Sequence, residues 1–196
     1  MKRYIWLGIL FIVLTIGVSS NPIERSLPAG VLAPEEPQQG EVLGLKPWKK
    51  NGYLIRPLAT FKINARVLLT DHYSWDRESE IAPVDLTLGW GPLSDSAVLS
   101  TLKLKHGYRH YSWRAQQLVL PINEINDHMA NMHIIPADDY VEGRLRKIIP
   151  GDLITIDGYL IEAATAQGWS WRSSLSRTDS GHGACEVIWA ERISVH

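Results

Sequence analysis

The chain has 196 residues, which is enough for one domain and a short appendage. Hydrophobic residues make up 45% of it and charged residues 21%, as in folded globular proteins and unlike disordered chains. The formal net charge is −1, so there is no basic surplus to neutralise phosphates. We therefore exclude nucleic acid as a predicted partner.

An export signal opens the sequence. Lys2 and Arg3 give a basic start, and residues 4–18 (YIWLGILFIVLTIGV) carry no charge. This run is long for the apolar part of a signal peptide and short for a membrane span of about 20 residues. We expect residues 1–20 to be a cleaved signal peptide or a membrane helix that anchors the chain through residues 4–18. The rest is predicted on the periplasmic side of a bacterial inner membrane, or free in the periplasm.

A proline-rich segment follows the signal. Residues 21–47 contain five prolines and the stretch PEEPQQG, and they sustain neither a strand period nor a helix period. This composition predicts an extended, solvated linker. The globular domain is then expected over residues 48–196.

Hydropathy patterns within residues 48–196 favour strands. The clearest alternation is FKINARVLLT (61–70), in which Phe61, Ile63 and Val67 share one face. Further strands are predicted at 84–90, 108–114, 151–165, 169–175 and 184–195, and short helices at 94–105, 121–130 and 138–148. The pattern predicts a mainly β (α+β) fold: a small antiparallel β-barrel, or an OB-like or sandwich core, with two or three short helices, preceded by an N-terminal membrane helix.

The stretch SSLSRTDSGHGACE (173–186) is the first candidate site. It lies between two predicted strands, and its middle is rich in turn residues. Long loops with charged and hydroxyl residues are favoured places for function, although such loops also serve solubility alone. The candidate residues here are Ser174, Arg177, Asp179, His182 and Cys185.

The second candidate combines NMHIIPA (131–137) with RHYSWR (109–114). Alternation is expected to place Arg109, Tyr111 and Trp113 on one strand face, and Asn131 and His133 on one side of an extended run. An arginine between aromatic rings can hold a carboxylate or phosphate group. The alternative is structural packing of the cation on the rings. The predicted binding set is Arg109, Tyr111, Trp113, Asn131, His133, Ser174, Arg177, Asp179 and His182.

Cys185 is the only cysteine, so it can form no disulfide within the chain. As a nucleophile it would need a base, His133 or His182, and a positive group such as Arg177. The alternative is a buried apolar residue, because ACEVIWAERISV alternates and places Cys185 on the face of Val187.

Three partial resemblances support a catalytic reading of these residues. HGAC (182–185) is similar to the active-site peptide of L,D-transpeptidases, and DSG (179–181) resembles the nucleophile segment of chymotrypsin-like proteases. The whole layout resembles that of sortases: anchor, linker, small barrel, then His133, GD at 151–152, Cys185 and Arg192. The catalytic alternative uses Cys185, His133 and Arg177 as its candidate set.

Four segments together resemble a family of uncharacterised exported bacterial proteins: LGWGPLSD (88–95), YRHYSW (108–113), NMHIIPA and SSLSRTDSGHGACE. The resemblance implies a bacterial, exported protein and carries no activity.

Two functions are predicted. The first is an envelope protein whose β-barrel domain binds an envelope protein or a cell-wall ligand. The second is a sortase-like or L,D-transpeptidase-like cysteine transpeptidase or hydrolase. No cofactor and no metal site are predicted, because neither H-E-x-x-H nor C-x-x-C occurs.

Overall fold

The computed structural model describes residues 25–176 and 185–196, and within them the fold is mainly β with three short α-helices. The strands are β1 (Gln38–Gly40), β2 (Trp48–Lys50), β3 (Tyr53–His72), β4 (Val84–Gly89), β5 (Leu102–Gly107), β6 (His110–Ala115), β7 (Met129–Pro136), β8 (Leu153–Ala164), β9 (Ser170–Arg172) and β10 (Glu186–Val195). The helices are α1 (Ser96–Leu99), α2 (Ile122–Asp127) and α3 (Asp139–Leu145). The predicted mainly β fold with two or three short helices is confirmed.

The pairing of the main sheet closes on itself. The long strand β3 pairs with β4 near its end and with β8 along most of its length, so the path β3–β4–β7–β10–β8 returns to β3. The pair β7–β10 is parallel and the other four are antiparallel. A closed cycle of five strands cannot alternate in direction throughout, because five is odd. The prediction of a purely antiparallel arrangement is therefore wrong at this pair.

The sheet is not a clean barrel. Strands β1, β2 and β9 extend it beyond the cycle, and β5 and β6 form a separate hairpin. One apolar cluster includes Phe61, Ile63 and Val67, as the alternation of 61–70 predicted. A second cluster lies around Ile55, Ile161 and Trp189. A third, smaller cluster lies beneath the hairpin.

The helix predicted over 94–105 is mostly wrong. Only Ser96–Leu99 is α-helical, capped by the Asp95 side chain, which accepts from the Ala97 N–H at 2.8 Å. Strand β5 begins at Leu102, because Leu102 and Leu104 alternate with exposed lysines and pack under the hairpin. Period-2 alternation in LKLK overrides the helix-start signal.

Residues 25–40, which we call the strap, lie along the domain, whereas the sequence predicts a solvated linker. The Arg25 side chain lies 2.6 Å from the buried Asp152 carboxylate, and its N–H donates to the Pro150 carbonyl. Farther along, the Ser94 hydroxyl accepts from the N–H groups of Leu32 and Ala33. Backbone groups need partners, and the strap finds its partners on the domain.

The predicted signal or anchor at residues 1–20 lies outside the described residues. In the described part of the chain, no helix has the length and apolar content needed to cross a bilayer.

Candidate functional site

The candidate site is a buried polar face on β4 and β7. Asp85 lies opposite His133 and Thr87 lies opposite Asn131 in the antiparallel register. None of the four is more than 3% exposed. The alternation of VDLTLG sends its valine and leucines into the first core cluster and its two polar residues to the other face. The β5–β6 hairpin covers that face through contacts to Asp85 and Thr87.

Arg109 is the centre of the site. It lies in the turn between β5 and β6 with φ 57, a left-handed conformation that is unfavourable for a side chain of this size. Its Nε and Nη2 donate to the two oxygens of Asp76, each at 2.8 Å, and its Nη1 donates to Asp85 at 2.7 Å and to the Ala82 carbonyl at 3.1 Å. These four bonds tie the hairpin to β4 and to the β3–β4 connection.

The charges around Arg109 are complementary. Burial alone would raise the pKa of the Asp76 carboxyl, but its bonds to Arg109 outweigh burial and lower the pKa to about 2. The guanidinium also lies over the Tyr73 ring, 3.9 Å from its centroid. The Trp171 ring lies on the guanidinium as well, with its centroid 5.8 Å away. Arg109 is thus held by two carboxylates and two rings, as expected for structural packing of the cation.

His133 lies beside this arginine on β7. Its Nδ1 is 2.9 Å from the second carboxylate oxygen of Asp85, within ion-pair distance but without the alignment of a hydrogen bond. Its ring packs against Trp171 of β9 at a centroid distance of 4.7 Å. In catalytic triads an aspartate hydrogen-bonded to Nδ1 orients the histidine; here the same two groups are adjacent without that bond. We call Arg109, Asp76, Asp85, Asn131 and His133 the Arg109 network.

His106 extends the network along β5. Its Nε2 lies 2.9 Å from the Thr87 hydroxyl, and its Nδ1 lies 3.7 Å from Asp71. Burial lowers the pKa of His106, and the opposing charges of Asp71 and Asp85 do not reverse this shift. His106 is therefore neutral at pH 7 and acts as a hydrogen-bonding group.

The structure brings three predicted binding residues together and separates others. Arg109, Asn131 and His133 belong to one network, although Arg109 reaches it from a turn and not by strand alternation. Tyr111 and Trp113 lie on the inner face of β6, where they donate to the Met129 carbonyl at 3.1 Å and to Asn126 at 3.0 Å. Those two aromatic residues pack against the third core cluster.

The two ends of the 173–186 stretch are tied to each other. The Ser174 N–H donates to the Cys185 carbonyl at 3.2 Å, and the Ser174 hydroxyl accepts from the Ser176 N–H. Cys185 is partly buried and precedes β10, in which Val187 is aligned with His133. Burial raises the pKa of Tyr111 to about 12, with smaller contributions from Cys185 and Glu186. Arg177, Asp179 and His182 lie outside the described residues.

An exposed aromatic pair lies at the surface end of the network. Trp75 and Tyr108 stack with centroids 5.1 Å apart and an interplanar angle of 29°. They are 72% and 53% exposed. The Tyr108 hydroxyl donates to Asp76 at 3.1 Å, and Tyr108 directly precedes Arg109. The Arg109 network thus holds one ring of the pair, and the other ring is stacked upon it.

Sequence reasoning missed Asp76, Asp85, Trp171 and Trp75 as members of the site. Asp85 carried the one usable signal, because a carboxylate in the middle of an apolar strand is rarely buried without a partner. The other three follow only from tertiary contacts, since Trp75 and Asp76 lie in the β3–β4 connection and Trp171 lies on β9.

Within the described residues, no group of three or more histidine, cysteine, aspartate or glutamate side chains is arranged to hold a metal ion. Comparisons with protein-family models, with curated proteins and with solved structures found no match.

Proposed function

We propose that this chain is a bacterial envelope protein, anchored in the membrane or exported, whose domain binds a glycan-type cell-wall ligand on the Trp75–Tyr108 pair. The location is supported by the basic start and the uncharged run 4–18, and by the resemblance to exported bacterial proteins. The binding role is supported by the exposed aromatic pair, which is the observation that carries the proposal.

We further propose that the five-strand cycle is a small OB-like barrel. The order β3–β4–β7–β10–β8, the parallel β7–β10 pair and the position of α3 between β7 and β8 fit that arrangement. Domains of this type bind ligands on the face of their second and third strands and in the adjoining loops. Here those strands are β4 and β7, and the adjoining β3–β4 connection carries Trp75.

The chemistry of the Trp75–Tyr108 pair favours an uncharged sugar ring as the ligand. Aromatic faces stack on the apolar faces of sugars, and tryptophan is on average a highly buried residue, whereas Trp75 is 72% exposed. The β3–β4 connection also carries Asp76, Glu78 and Glu80, which disfavours a polyanion. The network holds Tyr108 in place, so that ordering the platform costs little on binding.

The test is a titration of the protein with soluble N-acetylglucosamine oligomers, followed by tryptophan fluorescence and calorimetry. We expect saturable binding that Trp75→Ala weakens at least about fivefold, because a stacked ring contributes about 1–3 kcal/mol and 1.4 kcal/mol is tenfold in affinity. Trp113→Phe is the matched control, since that tryptophan lies on the inner face of β6. Binding that is equal in wild type and Trp75→Ala would refute the proposed surface.

The second candidate function is a cysteine transpeptidase or hydrolase. One observation favours it, the Asp85–His133 pair. His133 lies on β7, which is next to β10, and Cys185 directly precedes β10. This function requires rapid labelling of Cys185 by a thiol reagent in the folded protein at neutral pH, and loss of that labelling in His133→Ala. A thiol that reacts only after denaturant is added would exclude this function.

A further inference from the structure

The outer face of the β5–β6 hairpin is cationic. Lys103, Lys105 and Arg114 are exposed, and they alternate with the inward residues that cover the network and the third core cluster. The hairpin, residues 102–115, contains no aspartate or glutamate. We call these three residues the cationic face.

The part of the chain that the structure describes holds no carboxylate paired with the cationic face. Lys103 lies directly opposite Arg114 in the register, and like charges at such positions destabilise a strand pair. By contrast, the inward Arg109 of the same hairpin is paired with two carboxylates. An arrangement that repels itself indicates an external anionic partner.

The hairpin lies near the start of the strap. A cleft of about 510 Å³ is lined by Leu102 and Leu104 of β5 and also by Ser26 and Leu27. Val18, the end of the uncharged run, and Ser26 are eight positions apart, with seven residues between them. A chain over eight steps reaches at most about 29 Å. If residues 4–18 enter a membrane, as the proposed function holds, the hairpin is kept close to its surface.

Apolar residues follow the hairpin in the chain. Leu118, Val119 and Ile122 are 47%, 52% and 54% exposed, and they begin three residues after β6 ends. Basic and apolar side chains together are typical of surfaces that bind the interface of an anionic bilayer. Nucleic acid or an acidic protein would use the charges but would leave these three apolar residues unexplained.

We propose that the cationic face docks on an anionic phospholipid surface and so fixes the orientation of the domain on the membrane. The inference rests on the proposed location at the membrane. Each cation near such a surface strengthens association roughly fivefold. Salt weakens the contact, because the Debye length falls to about 3 Å at 1 M.

The test measures lysine acetylation by mass spectrometry on the full chain in liposomes. We expect Lys103 and Lys105 to react several-fold more slowly on phosphatidylcholine containing phosphatidylglycerol than on phosphatidylcholine alone, with the difference removed by high salt. Lys46 and Lys49 are the internal controls, because both are exposed. Lys49 lies on β2, which pairs with the start of β3, whereas the cleft beside the hairpin is lined by Arg66–Leu68 near the other end of that strand. Their rates are expected to stay unchanged.

A charge-reversal variant completes the test. Arg114→Glu is expected to reduce the protection of the two hairpin lysines at least fivefold, and Lys49→Glu is expected to leave it intact. Equal acetylation on both liposomes, equal slowing at the control lysines, or protection by a soluble polyanion but not by anionic liposomes would each overturn the proposal. Flotation of the protein with neutral liposomes measures insertion of the anchor alone. A protein that does not float would contradict the proposed membrane location, but would not test the docking of the hairpin on anionic lipid.

Discussion

Replacement of Arg109 tests the structural reasoning most directly. Arg109→Ala leaves the carboxylates of Asp76 and Asp85 buried, with side chains only 4% and 1% exposed, and removes the cation that both contact. Removing one partner of a buried ion pair costs about 3–5 kcal/mol, because the remaining charge has no compensation. The free energy of unfolding is expected to fall by that amount.

Urea unfolding measured by circular dichroism gives the loss, read from the midpoint at an unchanged slope. A domain has only about 5–15 kcal/mol of stability, so a loss of this size is enough to unfold a marginal one. Arg109→Lys provides the milder comparison. Lysine keeps the charge but cannot bond both oxygens of Asp76 in parallel, so we expect an intermediate loss. A loss below about 1 kcal/mol in Arg109→Ala would refute the assigned role.

The pH dependence of the same variant supplies a second check. Arg109 lowers the pKa of Asp76 from 3.8 to about 2, which corresponds to about 2.5 kcal/mol. A lowered pKa contributes stability above the unfolded value, and this contribution is lost as pH falls from about 4 toward 2. Without Arg109 the Asp76 carboxyl keeps the cost of burial and loses the partner that lowers its pKa most, so acid destabilises the variant less than the wild type. The stability difference between wild type and variant is expected to narrow as pH falls, and a constant difference would contradict the pairing.

Two further outcomes are expected. Gly158→Ala is expected to destabilise the domain by more than about 2 kcal/mol in thermal unfolding. The added Cβ would meet the carbonyl oxygen of Trp189, a backbone atom that cannot rotate away. A variant as stable as the wild type would contradict this packing. Burial and the neighbouring Glu80 raise the pKa of Tyr53 to about 12, so its stabilising effect is present below pH 10 and is lost as pH rises toward 12. Tyr53→Phe is expected to flatten the stability profile over that range, and an unchanged profile would count against the buried hydroxyl.

Part of the candidate site could be predicted from the sequence. The segment NMHIIPA was singled out, and its Asn131 and His133 lie in the network beside Arg109. Strand alternation predicts that Arg109 reaches the site from the same strand face as Tyr111. In the structure Arg109 instead lies in a left-handed turn before β6. Turn conformation depends on what the turn packs against, so alternation alone did not indicate it.

The partners of Arg109 could not be predicted. Asp76 and Asp85 precede it by 33 and 24 residues, and each lies on a different element. The same limit applies to the helix expected over 94–105. Leu102 continues the helical face of Val98 and Leu99 but also alternates with Leu104, and pairing with β6 selects the strand. Local patterns determine which side chains alternate, but not which element covers them.

The sequence by itself determined the uncharged N-terminal run, the mainly β character of the domain and the alternation in FKINARVLLT, because these depend on the spacing of apolar residues along a short stretch. Three features become visible only in the folded protein: the polar face of β4 and β7 is buried, Arg109 is held by two carboxylates, and Trp75 and Tyr108 stack at the surface. Those features depend on which loops fold onto one strand pair, and the free energy that selects them comes from contacts between residues far apart in the chain.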